Sequence, residues 1–275
     1  MGETFQAPTN LYAVTGGSTE IDLSWDVNEP TAHTEIQKKA AGGIYSTHCY
    51  IEAGDNSTTI TGLSPDTLYY FRARHVLFED YSAWSNEAED YTGPAAPSGL
   101  AVSWVGKTAT LTWTNNATYS AIAVYYKLSS SGTWTTDTES LSGSATTRNI
   151  VVASEDTDYD FAIRAKGGTS AYWSDYDTLS NQTSELMPPT NMGLTCPSTT
   201  SVTISWEDNS VVEDGYEIYM DGALIYTTAA DATEYTKTGL TEDETYTFKV
   251  GAKKGSVYSD FTPEQEIVVG TPPDA

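Results

Sequence analysis

Ile21, Leu23 and Trp25 alternate with Asp22 and Ser24, a period of two that predicts a strand with one face in a core and the other in water. The same pattern returns at Ala109, Leu111 and Trp113, and again at Val202, Ile204 and Trp206, with Thr110, Thr112, Thr203 and Ser205 between them. A second alternating stretch follows each time: Tyr69, Phe71 and Ala73; Tyr159, Phe161 and Ile163; Tyr246, Phe248 and Val250. It predicts the opposite wall of the same core. No stretch carries a helical stripe.

Before each second stretch stands a turn: "TGLSPDT" at 61, "VASEDT" at 152 and "TGLTEDET" at 238, rich in residues that close corners. The hexapeptides "DTLYYF", "DTDYDF" and "DETYTF" begin at 66, 156 and 243, at intervals suited to a small domain rather than a solenoid repeat. Each copy opens with a proline and a short apolar strand, "APTNLYAV", "APSGLAVSW" and "PPTNMGLTC", where a missing N–H breaks no ladder. The expected fold is all-β, three β-sandwiches in tandem with an elongated outline, divided at 1–93, 94–187 and 188–275. The joints "TGPAAP" (92–97) and "ELMPPT" (185–190) are short and contain proline, which predicts semi-rigid spacers. The predicted cores rest on Trp25, Tyr69 and Phe71; Trp113, Tyr159 and Phe161; and Trp206, Tyr246 and Phe248.

A tyrosine that starts a strand after a corner can bury its ring and return its hydroxyl to nearby backbone, the tyrosine corner of immunoglobulin-like sandwiches. With I-x-L-x-W on one strand and Y-x-F-x-V on another, nearly the whole chain resembles tandem fibronectin type III domains. The stretch "WEDNSVVEDGYEI" (206–218) is similar to a W-x-D-N-S-x-x-E-x-G-Y motif frequent in such modules of bacteria and their viruses. The first copy, "WDVNEPTAHTEI", and the second, "WTNNATYSAIAV", depart from that motif.

The chain's 275 residues, 39% hydrophobic and 12% aromatic, are enough to bury real cores. Its net charge of −25 opposes binding to a phosphate backbone, so nucleic acid is not an expected partner. The segment "MGETFQAPTN" lacks a secretory-signal pattern, and no apolar run long enough to cross a bilayer occurs, so membrane insertion is not expected. The C-terminal "VVGTPPDA" resembles the run-out into a further copy. Cys49 and Cys196 fall at non-corresponding places in the first and third copies and are expected to remain free thiols, as in a reducing cytoplasm.

Trp104 and Trp134 occur only in the second copy, where the charge is mildest, and are the candidate aromatic contacts for a ligand. Trp134 lies in "SSSGTWTT", a predicted hairpin tip. Trp84, Trp173 and Tyr258 occupy matching places, with Arg72, Arg74 and Arg164 on the neighbouring strand; a cation–π ladder is the expected role. Glu207, Asp208, Glu213 and Asp214 supply oxygen ligands for a cation such as calcium, although the ordered spacing of a calcium loop is missing. His33, His48 and His75 lack metal-ligand spacing, and His75 is expected to be a packed edge residue.

No nucleophile elbow, phosphate loop or H-E-x-x-H helix is present, so no enzyme and no cofactor are expected. The resemblance then implies a structural and display role. The leading expectation is an exterior virion component of a bacteriophage: a head decoration, head fibre or tail-associated protein. It would be made in the host cytoplasm, dock on capsid or tail proteins through one end module, and adhere weakly to host surface glycans. The alternative is a spacer or carbohydrate-binding accessory segment of a secreted bacterial cell-surface protein or glycan-active enzyme.

Overall fold

A computed structural model describes residues 5–270. Residues 1–4 of the N-terminal segment and 271–275 of the C-terminal stretch lie outside the described residues. Every regular element described is a β-strand, and the strands form three sandwiches in tandem.

In the first sandwich, Thr9–Thr15, Ile21–Asp26 and Ser57–Ile60 make one sheet. The facing sheet runs Ser46–Ile51, His33–Ala40, Leu68–Leu77, Asp80–Tyr81, with Ala88–Tyr91 also pairing on Leu68–Leu77. The second repeats this plan: Thr147–Val151, Thr108–Thr114 and Ser98–Val105 face Thr135–Ser142, Tyr119–Leu128, Asp158–Gly167 and Asp177–Thr183. In the third, Thr190–Ser198, Ser201–Glu207 and Glu234–Thr238 face Ala223–Thr227, Gly215–Met220, Thr245–Lys254 and Val257–Phe261, while Gln265–Val268 pairs with Thr245–Lys254. All the pairs are antiparallel.

The alternation seen in sequence decides which face is dry. Ile21–Asp26 reads buried, exposed, buried, exposed, buried, exposed along its length. Leu111, Phe71, Phe161 and Phe248 are fully enclosed, each worth about 1.5–3 kcal/mol of burial. Each sandwich has its own main core cluster, holding the tryptophan–tyrosine–phenylalanine set expected from the repeats, with Tyr246 half-buried at the rim of its own; a smaller cluster of Ala123, Tyr125 and Ala162 lies apart in the second sandwich.

The corner also closes as expected. The N–H of Ser64 donates to the Tyr69 hydroxyl at 3.0 Å, that of Ser154 to Tyr159 at 3.1 Å, and that of Thr241 to Tyr246 at 3.2 Å. Asp66, Asp156 and Asp243 sit at φ 49°, 46° and 61°, a left-handed turn that aspartate tolerates better than most side chains. That is why an acid precedes the tyrosine by three residues in all three copies.

Candidate functional site

The loop between Ser201–Glu207 and Gly215–Met220 gathers most of the polar chemistry of the third sandwich, and its sequence motif assigns each residue a task. Trp206 enters the core and packs on Tyr216, ring centroids 5.4 Å apart. The Tyr216 ring is fully buried and its hydroxyl donates to Oδ1 of Asp208, which also accepts the Ser210 N–H at 3.1 Å. Burial, and then the Asp208 carboxylate, push the Tyr216 phenol far above its ordinary pKa, so it stays a donor. Asn209 donates to the Pro188 carbonyl at 2.9 Å and to Thr190 Oγ1 at 2.9 Å, stapling the loop to the first strand. Gly215 is required by close approach, because a Cβ there would stand 2.1 Å from the Thr228 carbonyl oxygen.

The loop turns its remaining groups to the preceding sandwich. Glu155, 4% exposed, accepts Ser210 Oγ at 3.1 Å, the Val211 N–H at 2.7 Å and the Met187 N–H at 2.6 Å. Beside it, Lys254 pairs with Asp156 at 2.6 Å. The first joint uses the corresponding corner: Asp66 accepts the N–H groups of Ser170 at 2.8 Å and Thr169 at 3.3 Å. There the Tyr172 hydroxyl also donates to Asp90 at 2.7 Å, and that bond, followed by burial, pushes its phenol up to about 12. In both joints the corner aspartate of one sandwich meets the end of the corresponding long strand of the next: Asp66 the turn just beyond Asp158–Gly167, and Asp156 the last residue of Thr245–Lys254.

A separate feature lies on the four-stranded sheet of the second sandwich. Tyr125, Trp134, Thr136, Ala162, Tyr176 and Thr178 line an open cleft of about 310 Å³. Trp134 and Tyr176 are 40% and 50% exposed, while Tyr125 is buried beneath them and meets Tyr176 edge-on at 5.6 Å. Arg164 donates to the Tyr125 hydroxyl at 2.8 Å, and that hydroxyl donates to Glu139 at 2.7 Å. Burial, then the Glu139 bond, raise the Tyr125 phenol to about 12. An apolar floor and two exposed rings are suited to the face of a sugar ring or another flat polyhydroxylated ligand.

The two expected contact tryptophans therefore separate. Trp134 stands at the hairpin tip with its ring available, under Lys127 at 5.2 Å. Trp104 is a correction: it pairs across the sheet with Ala109, whose small side chain leaves room for the indole to turn inward against Phe161 at 5.8 Å and Tyr159 at 6.2 Å. It is a packing residue. The expected acidic cluster is corrected as well. Glu207 accepts from Asn191 at 2.8 Å, and Asp214 accepts the Gly255 N–H at 2.6 Å, so both are drawn away. Asp208 and Glu213 do come together, and Asp231, from the loop before Glu234–Thr238, joins them.

Arg72 and Arg74 lie over Trp84 at 4.1 and 4.4 Å and Arg164 over Trp173 at 4.7 Å, the expected ladder in the first two sandwiches; in the third, Lys253, not anticipated from the sequence, lies over Tyr258 at 5.6 Å. His75 is fully buried rather than at an edge: Thr34 Oγ1 lies 3.3 Å from Nδ1 and the Asn28 N–H 3.4 Å from Nε2. Cys49 and Cys196 are free thiols in separate sandwiches.

One recurring group was missed by the sequence reading. Asn28, Asn116 and Asn209 each stand three residues after the core tryptophan and donate to a carbonyl just ahead of the first strand: Ala7 at 2.7 Å, Ala96 at 2.8 Å and Pro188 at 2.9 Å. A W-x-x-N spacing common to all three copies was the available signal.

Residues 187–268 match the profile of the fibronectin type III domain. The other two sandwiches share its strand plan, tyrosine corner and asparagine staple, so the chain folds as three β-sandwiches of this kind in tandem, the third of them a fibronectin type III domain by its profile. Among curated proteins, it is 27% identical over 244 residues to the receptor-type tyrosine-protein phosphatase eta of Gallus gallus, covering 86% of this chain and 17% of that one. It is 30% identical over 178 residues to chitinase A1 of Niallia circulans, covering 60% and 24%. The chain thus spans less than a quarter of the length of either relative. Among solved structures, the three-domain FN1–FN3 segment of chicken CNTN1 aligns over 96% of this chain and 99% of that one, at 16% identity and a TM-score of 0.31.

Proposed function

We propose that the chain is a non-catalytic spacer that holds surfaces apart at the exterior of a particle or cell and displays the aromatic cleft of its second domain. The observation that carries this reading is the pair of joints. At each one a buried or half-buried corner carboxylate accepts hydrogen bonds from the next domain, the Thr169 and Ser170 N–H groups on Asp66 and the Val211 N–H and Ser210 hydroxyl on Glu155, which resists bending at the linker. The open cleft around Trp134 and Tyr176 has no carboxylate among its lining residues, which suits adhesion better than hydrolysis of a glycoside.

The particular setting proposed is the exterior of a bacteriophage-type particle, with docking on capsid or tail proteins through an end domain and weak adhesion to host glycans multiplied by copy number. It is supported by the motif at 206–218, which resembles modules of bacteria and their viruses. The similarity to a chitinase over 178 residues favours a second reading, an accessory segment of a secreted glycan-active enzyme. Neither setting requires a membrane span, and among the described residues no helix is long and apolar enough to be one.

Small-angle scattering of the whole chain tests the spacer reading. One narrow family of extended shapes is expected; a broad distribution typical of freely jointed domains overturns it. The reading frames flanking the gene separate the settings: capsid and tail genes support the first, while a hydrolase domain in the same frame supports the second.

A further inference from the structure

One oxygen from each of Asp208, Glu213 and Asp231 lies within 4.8 Å of the other two. Oxygens sharing one calcium ion at about 2.4 Å stand no more than about 4.8 Å apart, so the three can occupy a single coordination sphere. Glu213 is 7% exposed; its Oε1 accepts the Asp231 N–H at 3.0 Å, and its Oε2 is buried with no hydrogen-bond partner. A buried carboxylate oxygen left empty is costly unless something positive meets it. Both hydrogen bonds to Asp208 fall on Oδ1, leaving Oδ2 open among the described residues. No lysine, arginine or histidine forms an ion pair with any of the three among the described residues.

We propose that Asp208, Glu213 and Asp231 form a calcium site in the third domain. Oxygen-only ligands select a hard cation, and ligands drawn from two irregular loops suit the flexible geometry of calcium better than the strict octahedron of magnesium. The site fastens the 208–214 loop to the loop carrying Asp231. Ser210 and Val211, which dock on Glu155, belong to that same fastened loop, so the ion also stiffens the joint between the second and third domains.

Terbium luminescence and thermal unfolding of the whole chain provide the test, with wild type, Glu213→Gln and Asp231→Asn. Asparagine keeps the left-handed backbone at 231, where φ is 58°, and that side chain is exposed, so this variant folds even if the first does not. Wild type is expected to show saturable terbium emission, sensitised by Tyr216 and Trp206 and displaced by calcium at about 0.1–1 mM. Each variant is expected to weaken the affinity about tenfold or more. The melting order should cross: in chelator the variants melt at or above wild type, because one converging charge is gone, and in calcium they melt below it. Emission unchanged by both variants overturns the site and leaves only diffuse attraction to an acidic chain. A magnesium response equal to that of calcium overturns the choice of ion.

Discussion

The Val211 backbone N–H donates to Oε1 of Glu155 at 2.7 Å across the joint between the second and third sandwiches, and Glu155 is almost completely enclosed there. The carboxylate collects three donors, two from the 208–214 loop and one from Met187 in the linker itself. Removing it strands each of them at about 1–3 kcal/mol. In Glu155→Ala the third domain is expected to unfold separately, several degrees below the rest, in a calorimetric scan. A variant that keeps the wild-type unfolding profile would show that the joint does not couple the domains.

The tyrosine corners give a graded series. Tyr69→Phe and Tyr159→Phe keep the ring in the core but leave the Ser64 and Ser154 N–H groups without their partner. Each is expected to lose about 1 kcal/mol in denaturant unfolding. Tyr246→Phe should lose less, because that corner is more exposed and water can replace the hydroxyl.

His75 makes the first domain sensitive to acid. Burial holds its pKa below the ordinary histidine value, with Glu29 opposing part of that shift. The unfolded chain therefore binds a proton more readily than the folded one. Stability is complete above about pH 6.5 and falls as the pH drops through that value toward the lower folded pKa. His75→Ala places there the residue found in the other two copies, Ala165 and Ala252, and is expected to flatten most of the slope of the denaturation midpoint between neutral and mildly acidic pH. His48, whose pKa burial also lowers, contributes a remainder of the same sign.

Trp104 and Trp134 should respond oppositely to truncation. Trp104→Ala removes an indole packed on Phe161 and Tyr159 and is expected to destabilise the second domain by about 3 kcal/mol. Trp134→Ala is expected to leave the melting temperature nearly unchanged while abolishing any signal on a glycan array. A flat array response from the wild-type chain would remove the adhesion role and leave the spacer.

The three cores were legible because each depends on local order. A strand with period two must bury one set of alternate residues, so Trp25, Trp113 and Trp206 had only one dry side to occupy. The corner was legible for a related reason, since the hydroxyl and the N–H it accepts lie five residues apart. Trp104 was misjudged although it shares the parity of Leu100 and Val102, because its inward path depends on Ala109 across the sheet leaving a gap. Asp231 was invisible beside Asp208 and Glu213, since the loops that bring them together are separated by two strands of chain.

By itself the sequence determined the all-β class, the threefold repeat, the residues of each interior and the corner chemistry, because these follow from backbone periodicity and hydrogen bonds between near neighbours. Only the tertiary structure decided which acids converge, which tryptophan is exposed, and that Glu155 and Asp66 bind the domain that follows. Those relationships depend on the distance between side chains far apart along the chain, and a strand pattern says which way a residue points without saying what it meets.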